Sequence, residues 1–326
     1  MNHSRRILPS IIILTTITIF GVIASINVIL NPLDVNQKVP VIAQDDEQKN
    51  IVNEGSFVVA TSTTAVKPTV VVTPKADQIS ATAYLIGNVK TGKVYLSSNQ
   101  NKVLPVASMS KLMTAIVATN RFSTSTIIEI TPADASVATD TSAIHSGESF
   151  TFKEILYPLL LNSSNIAAEA ISRSLVDASS TISTTTTRLA FMETMSNTAW
   201  EVGMPGAYFA DPSGLDPANR ASAKDVFALA RYIYKYRPDI FDITKIPHAE
   251  VATTTDHDAH MFNSTHPFVN DPRFLGGKTG RTLEAGETMM TILNIDEEPI
   301  VFIVLHSRYG YRAADTNVLI KKYLAI

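Results

Sequence analysis

Pro105-Val-Ala-Ser108-Met-Ser-Lys111-Leu-Met-Thr-Ala-Ile-Val-Ala118 sets one hydroxyl and one amine inside an apolar run. After Pro105 the composition is helical, with no Gly or Pro until well past Ala118. Ser108 is expected at or just before the first helical turn, where free backbone N–H groups and the positive end of the helix dipole lie. Lys111 stands three residues on and shares its face. Leu112, Met113, Ile116 and Val117 make the surroundings apolar. A lysine drawn into such a place loses hydration, and its pKa falls toward neutrality. A deprotonated amine beside a serine hydroxyl is a general base beside a nucleophile. The bland reading is an N-cap serine with a surface lysine, since Ser-x-x-Lys arises about once by chance in a chain of this size. Against it, no other Lys has Ser three residues before it, and the apolar neighbours argue against a solvated face.

The chain has 326 residues, enough for one large domain or two small ones. Hydrophobic residues make up 45% and charged residues 17%, which suits a globular body with a sizeable core. The net charge of −3 gives no sign of a nucleic-acid partner. Cysteine is absent, which excludes disulfides, thiol catalysis and Cys metal sites.

Residues 7 to 30 carry no charge and follow Arg5 and Arg6, so 1–30 is expected to be a membrane anchor with a cytoplasmic N-terminus. A cleaved signal peptide ending near Val22-Ile-Ala24 is the rival reading, but the apolar run continues to Leu30. Either way the body is expected outside the cytoplasm, at the cell membrane. Residues 31–78, rich in Thr, Val and Pro, read as a flexible stalk.

The body, 79–326, is expected to be α+β. Two strands around Lys90-Thr-Gly92 form a hairpin, and three more are expected at 277–282, 288–294 and 299–307. Helices fill the middle, among them 152–161 with Pro158 as a kink, 166–175, 186–202, and one from the Ser222 cap to about Tyr236. A last helix is expected over 312–324. Strands at both ends predict one antiparallel sheet built from both termini, with flanking helices and an inserted helical subdomain.

Three short motifs appear in order: Ser108-x-x-Lys111, Ser163-Ser-Asn165 and Lys278-Thr279-Gly280. Lys90-Thr-Gly92 copies the third, and Ser97-Ser-Asn99 and Ser25-Ile-Asn27 copy the second, but they fall in a hairpin turn, at a strand end and in the anchor. Read singly, Ser163 and Asn165 could merely cap the following helix. Asp256-His-Asp-Ala-His260 has the look of a metal cluster but is expected to be a polar loop. Asp211-Pro-Ser-Gly-Leu215 reads as structural rather than catalytic.

Together with Ser146-Gly-Glu148, Asp211 to Leu215 and Gly277-Lys-Thr-Gly-Arg-Thr-Leu-Glu-Ala-Gly286, these motifs closely resemble the blocks of the low-molecular-weight penicillin-binding proteins. These are the D-alanyl-D-alanine carboxypeptidases of serine peptidase family S11. The resemblance covers roughly Ile79 to Ile326 and implies a β-lactamase/transpeptidase-like fold. It implies Ser108 as nucleophile, Lys111 as its base and Ser163 as proton relay to the leaving amine. It also implies Asn165 orienting Lys111 and the substrate amide, Lys278 keeping Lys111 neutral by its charge, and Lys278, Thr279 and Arg281 meeting the substrate carboxylate. Gly280 leaves room for substrate along the strand edge, and the N–H groups of Ser108 and Arg281 form the oxyanion hole. Arg281 alone could equally be a solvated strand residue. The implied partners are peptidoglycan stem peptides, and β-lactams as covalent inhibitors; no cofactor or metal is required.

Two residues depart from the family pattern. Ser164 stands where Gly is usual, and Ile166 where an acidic residue is common. The C-terminal β-domain of many relatives is also missing, so the N-terminal segment is expected to be the anchor. DD-endopeptidase action shares every motif with carboxypeptidase action. A β-lactamase would need a deacylating Glu in a Glu-x-x-Leu-Asn block, which is not found; a non-catalytic wall-binding protein would be expected to have lost Ser108 or Lys111.

Overall fold

The computed structural model describes residues 78–177 and 184–326. The expected anchor, and the expected stalk up to residue 77, lie outside the described residues. Among the described residues no helix is long and apolar enough to cross a membrane.

The body begins with strands β1 (Ala83–Asn88), β2 (Val94–Ser98) and β3 (Leu104–Pro105), then helix α1 (Ser110–Thr119). Next come β4 (Ile127–Glu129), α2 (Pro132–Ala135), β5 (Ser149–Thr151), α3 (Phe152–Tyr157), α4 (Asn165–Asp177) and α5 (Thr184–Glu201). After these lie β6 (Arg220–Ala221), α6 (Ala223–Tyr236), α7 (Pro238–Thr244), β7 (His248–Val251) and β8 (His260–Asn263). The chain closes with β9 (Phe274–Thr282), β10 (Gly286–Ile295), β11 (Glu298–Ser307) and α8 (Arg312–Leu324).

The main sheet runs β2-β1-β11-β10-β9, antiparallel throughout, so the two chain ends of the body meet at β1 and β11, where Ala83 faces Leu305. Period-two alternation sends its side chains into two cores. Val301, Ile303 and Leu305 join the main core beneath the helices, whereas Ile300, Phe302 and Val304 pack with Leu319 and Ile320 of α8. That two-sided burial explains why β11 reads as an unbroken apolar run from Ile300 to Leu305. Helix α1 is buried from Ser110 to Ala118 and forms the axis of the helical part.

Local chemistry sets the helix ends. Ser222 and Asp225 form a capping box on α6, and Thr151 and Glu154 form one on α3. At Pro158 α3 gives way to a π-helical turn, Pro158–Asn162, where a kink is expected from the sequence. Pro238 ends one helix and occupies the first turn of the next, so α7 follows α6 almost at once; the sequence reading has no helix there.

The polar loop expected at Asp256–His260 covers residues 256–259, with Asp256 and Asp258 exposed, and its two histidines are drawn out of solvent. His257 is buried and stacks on Phe150 at 4.6 Å, and His260 opens β8 with Nε2 2.7 Å from Glu148 Oε1. Alternation in β7 and β8 is short and interrupted by polar residues, which hides the ribbon from a sequence reading.

Candidate active site

A 3₁₀ turn, Ala107–Met109, delivers Ser108 to the start of α1, and Ala107 takes a left-handed φ of 49° to make the bend. Neighbouring backbone packs so tightly here that side chains are excluded. A Cβ on Gly214 would come 2.0 Å from Ala107 O, and one on Gly280 would come 2.9 Å from both Ser108 N and Val106 O. The Lys278-Thr-Gly strand therefore lies directly against the nucleophile's own backbone.

Lys111, the second residue of α1, is wholly buried. Its Nζ donates to Ser108 Oγ at 2.9 Å, to Asn165 Oδ1 at 2.7 Å and to Ser213 O at 2.7 Å. Burial brings this amine from 10.5 to about 7, against the opposing pull of Asp211, Asp140 and Glu169. Ser108 makes no side-chain cap to α1, so the bland N-cap reading does not apply.

The second motif divides its labour. The N-terminus of α4 is satisfied by Asp140, whose Oδ2 accepts from Ile166 N at 2.9 Å, and by Ser164 Oγ, which accepts from Ala167 N at 3.0 Å. Ser164 also donates to Asp140 Oδ2 at 2.7 Å and accepts from Ser142 Oγ at 2.9 Å. Burial raises the Asp140 carboxyl, but hydrogen bonds from Ser142, Ile166 and Ser164 outweigh it and hold the group below its ordinary range. The hydroxyl that departs from the family pattern is thus a structural cap, and Ser163 and Asn165 are released from capping.

Ser163 sits in the left-handed conformation (φ 64°) at the end of the π turn and accepts from Lys278 Nζ at 2.8 Å. Asn165 Nδ2 donates to Ala138 O at 3.1 Å while Oδ1 accepts from Lys111 Nζ at 2.7 Å, so both ends of the amide are engaged within the protein. This geometry holds the Lys111 amine in place. Lys278 is also buried, with Nζ donating to Thr279 O at 3.0 Å. Burial, then the charges of Lys111 and Arg312, push it well below the usual lysine range. Burial is the main cause of the Lys111 shift, and because repulsion between two buried ammonium groups is mutual, a charged Lys278 also favours neutral Lys111.

Thr279 Oγ1 lies 3.0 Å from Thr265 Oγ1. Arg281 is exposed, with its guanidinium 5.8 Å from the Tyr309 ring centroid. Strand β9 is the outermost of the sheet, so no strand pairs with its far edge, where Gly277 N donates to Thr244 Oγ1 at 3.1 Å.

Three groups at this site go unnoticed in the sequence. Asp140 follows no recognisable motif. Ser213 acts through its backbone carbonyl, held by Asp211 Oδ1, which accepts from Ser213 N at 2.7 Å; the Asp211–Leu215 loop is structural and touches the amine directly. Arg312, on α8, donates from Nη1 to Gly280 O at 3.3 Å. Only the turn signal Asp-Pro-Ser-Gly pointed to any of them.

Comparison with known proteins follows the same outline. A family model described as D-alanyl-D-alanine carboxypeptidase matches residues 70–308. A D-alanyl-D-alanine endopeptidase of Pseudomonas aeruginosa is 27% identical over 271 residues, covering 81% of this chain and 84% of that one. A D-alanyl-D-alanine carboxypeptidase of Mycobacterium tuberculosis is 25% identical over 213 residues, covering 64% and 69%. Among solved structures, the Streptomyces K15 DD-transpeptidase superposes with a TM-score of 0.70 at 20% identity, over 76% of this chain and 98% of that one.

Proposed function

The chain belongs to the D-alanyl-D-alanine carboxypeptidase family, peptidase family S11, and on that premise we propose that Ser108 opens D-alanyl-D-alanine bonds of peptidoglycan stem peptides through an acyl-serine intermediate. The chain is a serine-type DD-peptidase, a hydrolase. The observation that carries the assignment of its site is the wholly buried Lys111 amine, 2.9 Å from Ser108 Oγ and brought to about 7 by burial.

Ser108 Oγ attacks the carbonyl carbon of the penultimate D-alanine while neutral Lys111 takes the hydroxyl proton. Asn165 Oδ1 and Ser213 O hold the amine in line. The oxyanion forms against the N–H groups of Ser108 and Arg281, next to a Gly280 that leaves no side chain in the way. Ser163 Oγ passes its proton to the departing amine and recovers one from Lys278. Lys111 then sheds its proton and Lys278 regains one by exchange with bulk water. With Lys111 neutral again, water attacks the acyl carbonyl while giving its proton to Lys111, which returns it to Ser108 Oγ as the ester bond breaks. The substrate lies along the unpaired edge of β9, with its terminal carboxylate toward Lys278, Thr279, Arg281 and Arg312.

β-Lactams are expected to acylate Ser108 in place of the peptide. Ser108→Ala should abolish both a fluorescent penicillin adduct and peptide hydrolysis; an adduct mapped to any other residue would overturn the assignment. Release of terminal D-alanine is the leading activity. Cleavage of cross-links is the second reading, favoured because relatives named endopeptidase are among the most similar. Mass spectrometry of a cross-linked muropeptide after digestion separates the two by the bond cut. The reading also places the catalytic body outside the cytoplasm, held at the membrane by residues 1–30, on the strength of Arg5, Arg6 and the uncharged run to Leu30. Protease added to intact spheroplasts should digest the body, and full protection would reverse this orientation.

A further inference from the structure

The Lys90-Thr-Gly92 copy of the third motif has no part in the site around Ser108. It forms the turn between β1 and β2, and β2 is the outermost strand on the edge of the sheet opposite β9. Asn88 fixes this turn: its Oδ1 accepts from Lys90 N and from Thr91 N, both at 2.9 Å, and Gly92 N donates to Asn88 O at 2.8 Å.

The turn overhangs a groove of about 1090 Å³, walled by α6 and the end of α5. Lys90, Lys224, Arg231 and Lys235 line it, with Glu201 as the one carboxylate. No ion pair joins any of these four cations to a carboxylate among the described residues. Aromatic rings partner two of them instead. The Arg231 guanidinium is 6.0 Å from the Phe227 ring centroid, and Lys235 Nζ is 4.8 Å from that of Tyr236. A Cβ on Gly92 (φ 82°) would come 2.7 Å from the Arg231 guanidinium carbon, so this glycine lets the cation lie beneath the turn. Four cations around one carboxylate also run against a net charge of −3 for the whole chain. Such a cluster, set on aromatic walls, attracts an anionic ligand that carries apolar or sugar faces. Its volume is at or above the upper end of the roughly 300–1,000 Å³ usual for one small molecule, and it suits a segment of a polymer.

We propose that this groove is a second binding site for peptidoglycan, with stem-peptide carboxylates on the four cations and the glycan against the aromatic side chains. The proposal rests on the peptidase reading, because it concerns the polymer on which that peptidase acts. Holding the strand at a site remote from Ser108 raises the effective concentration of scissile peptides at β9 without any new contact there.

The test uses the full chain and insoluble sacculi freed of attached phosphodiester polymers. Binding is measured by co-sedimentation in a Ser108→Ala background, so that the polymer stays uncut. The triple variant K90E/K224E/R231E should bind about tenfold more weakly or worse, three exposed charge contacts being worth a factor of about two to five each. With Ser108 intact, the same triple variant should turn over a small soluble D-Ala-D-Ala peptide as fast as the parent. If the triple variant fails to fold, the milder R231Q/K235Q pair decides, and it too should weaken sedimentation while sparing the small peptide. Sacculi stripped of stem peptides by an amidase should bind the parent poorly. Parent-like sedimentation by the folded groove variants, or undiminished binding to the stripped sacculi, would overturn the proposal. So would groove-dependent binding that appears only with phosphodiester polymers left in place. Loss of small-peptide turnover in the parent would strike the peptidase reading instead, because groove binding is read without catalysis.

Discussion

The pH dependence of acylation tests the central chemistry of the site. An ordinary lysine is neutral in only about 1 molecule in 3,000 at pH 7. With burial bringing Lys111 to about 7, about half the molecules carry the free amine at that pH. The difference, about a thousandfold in competent base, is what the buried setting supplies. The rate of penicillin acylation should therefore rise with pH and level off, with a midpoint near 7. Stopped-flow or gel-based adduct formation between pH 5 and 9 reads this directly. Glu169 adds a second handle. Its carboxylate raises the Lys111 pKa and is itself ion-paired with Arg188. Glu169→Gln removes one negative charge near the amine, so the midpoint should fall, by about half a pH unit if the interaction is screened as in most proteins. Lys111→Arg should not restore the rate lost in Lys111→Ala, because guanidinium stays charged in this range. A flat profile from pH 5 to 9, a midpoint near 10, or a midpoint that rises in Glu169→Gln would each refute the assignment of Lys111 as the base.

Ser164→Gly should cost about 1 kcal/mol in denaturant unfolding, because it removes the hydroxyl that bridges Asp140 and Ser142 and caps α4; no loss would mean that backbone and water replace it fully. Gly280→Ala should lower acylation sharply while thermal unfolding stays cooperative, since its Cβ would press on Ser108 N and Val106 O at 2.9 Å; acylation at the parent rate would show that the turn can give way. His266 is buried, and its pKa is pushed down to about 3, so its ring signals in NMR should not titrate between pH 5 and 8. Phe302→Ala, in the core under α8, should destabilise the fold by about 3–5 kcal/mol while leaving the acylation rate of the folded fraction unchanged.

Much of the fold could be read because its signals were local. Gly and Pro punctuation bounded the strands, the Ser222 cap announced α6, and the expected last helix, 312–324, coincides with α8. The three motifs gave Ser108, Lys111, Ser163 and Lys278, whose side chains the structure brings within hydrogen-bond reach in the pairs Ser108–Lys111 and Ser163–Lys278. What stayed hidden is non-local. Asp140 reaches the second motif from 25 residues away in the chain. Ser213 contributes a backbone carbonyl, which no side-chain pattern can advertise. The ribbon β7–β8 is held partly by His257 stacking on Phe150, a contact that local alternation cannot foresee. Ser164, which stands where the family usually has Gly, donates to Asp140.

The meeting of β1 with β11 carries a consequence for how the molecule is made. Ala83 cannot find Leu305 until about 220 further residues have emerged, and closing a loop of that length costs about 5 kcal/mol of chain entropy. Strand β9 joins the sheet only through β10 and β11, so the edge that would receive substrate is among the last parts to be ordered. A nascent or truncated chain lacking β11 has no scaffold on which to place Lys278 beside Ser163. Activity is thereby tied to completion of the polypeptide, and folding should be slow. An unfinished molecule would expose apolar strands long before it could cut a bond.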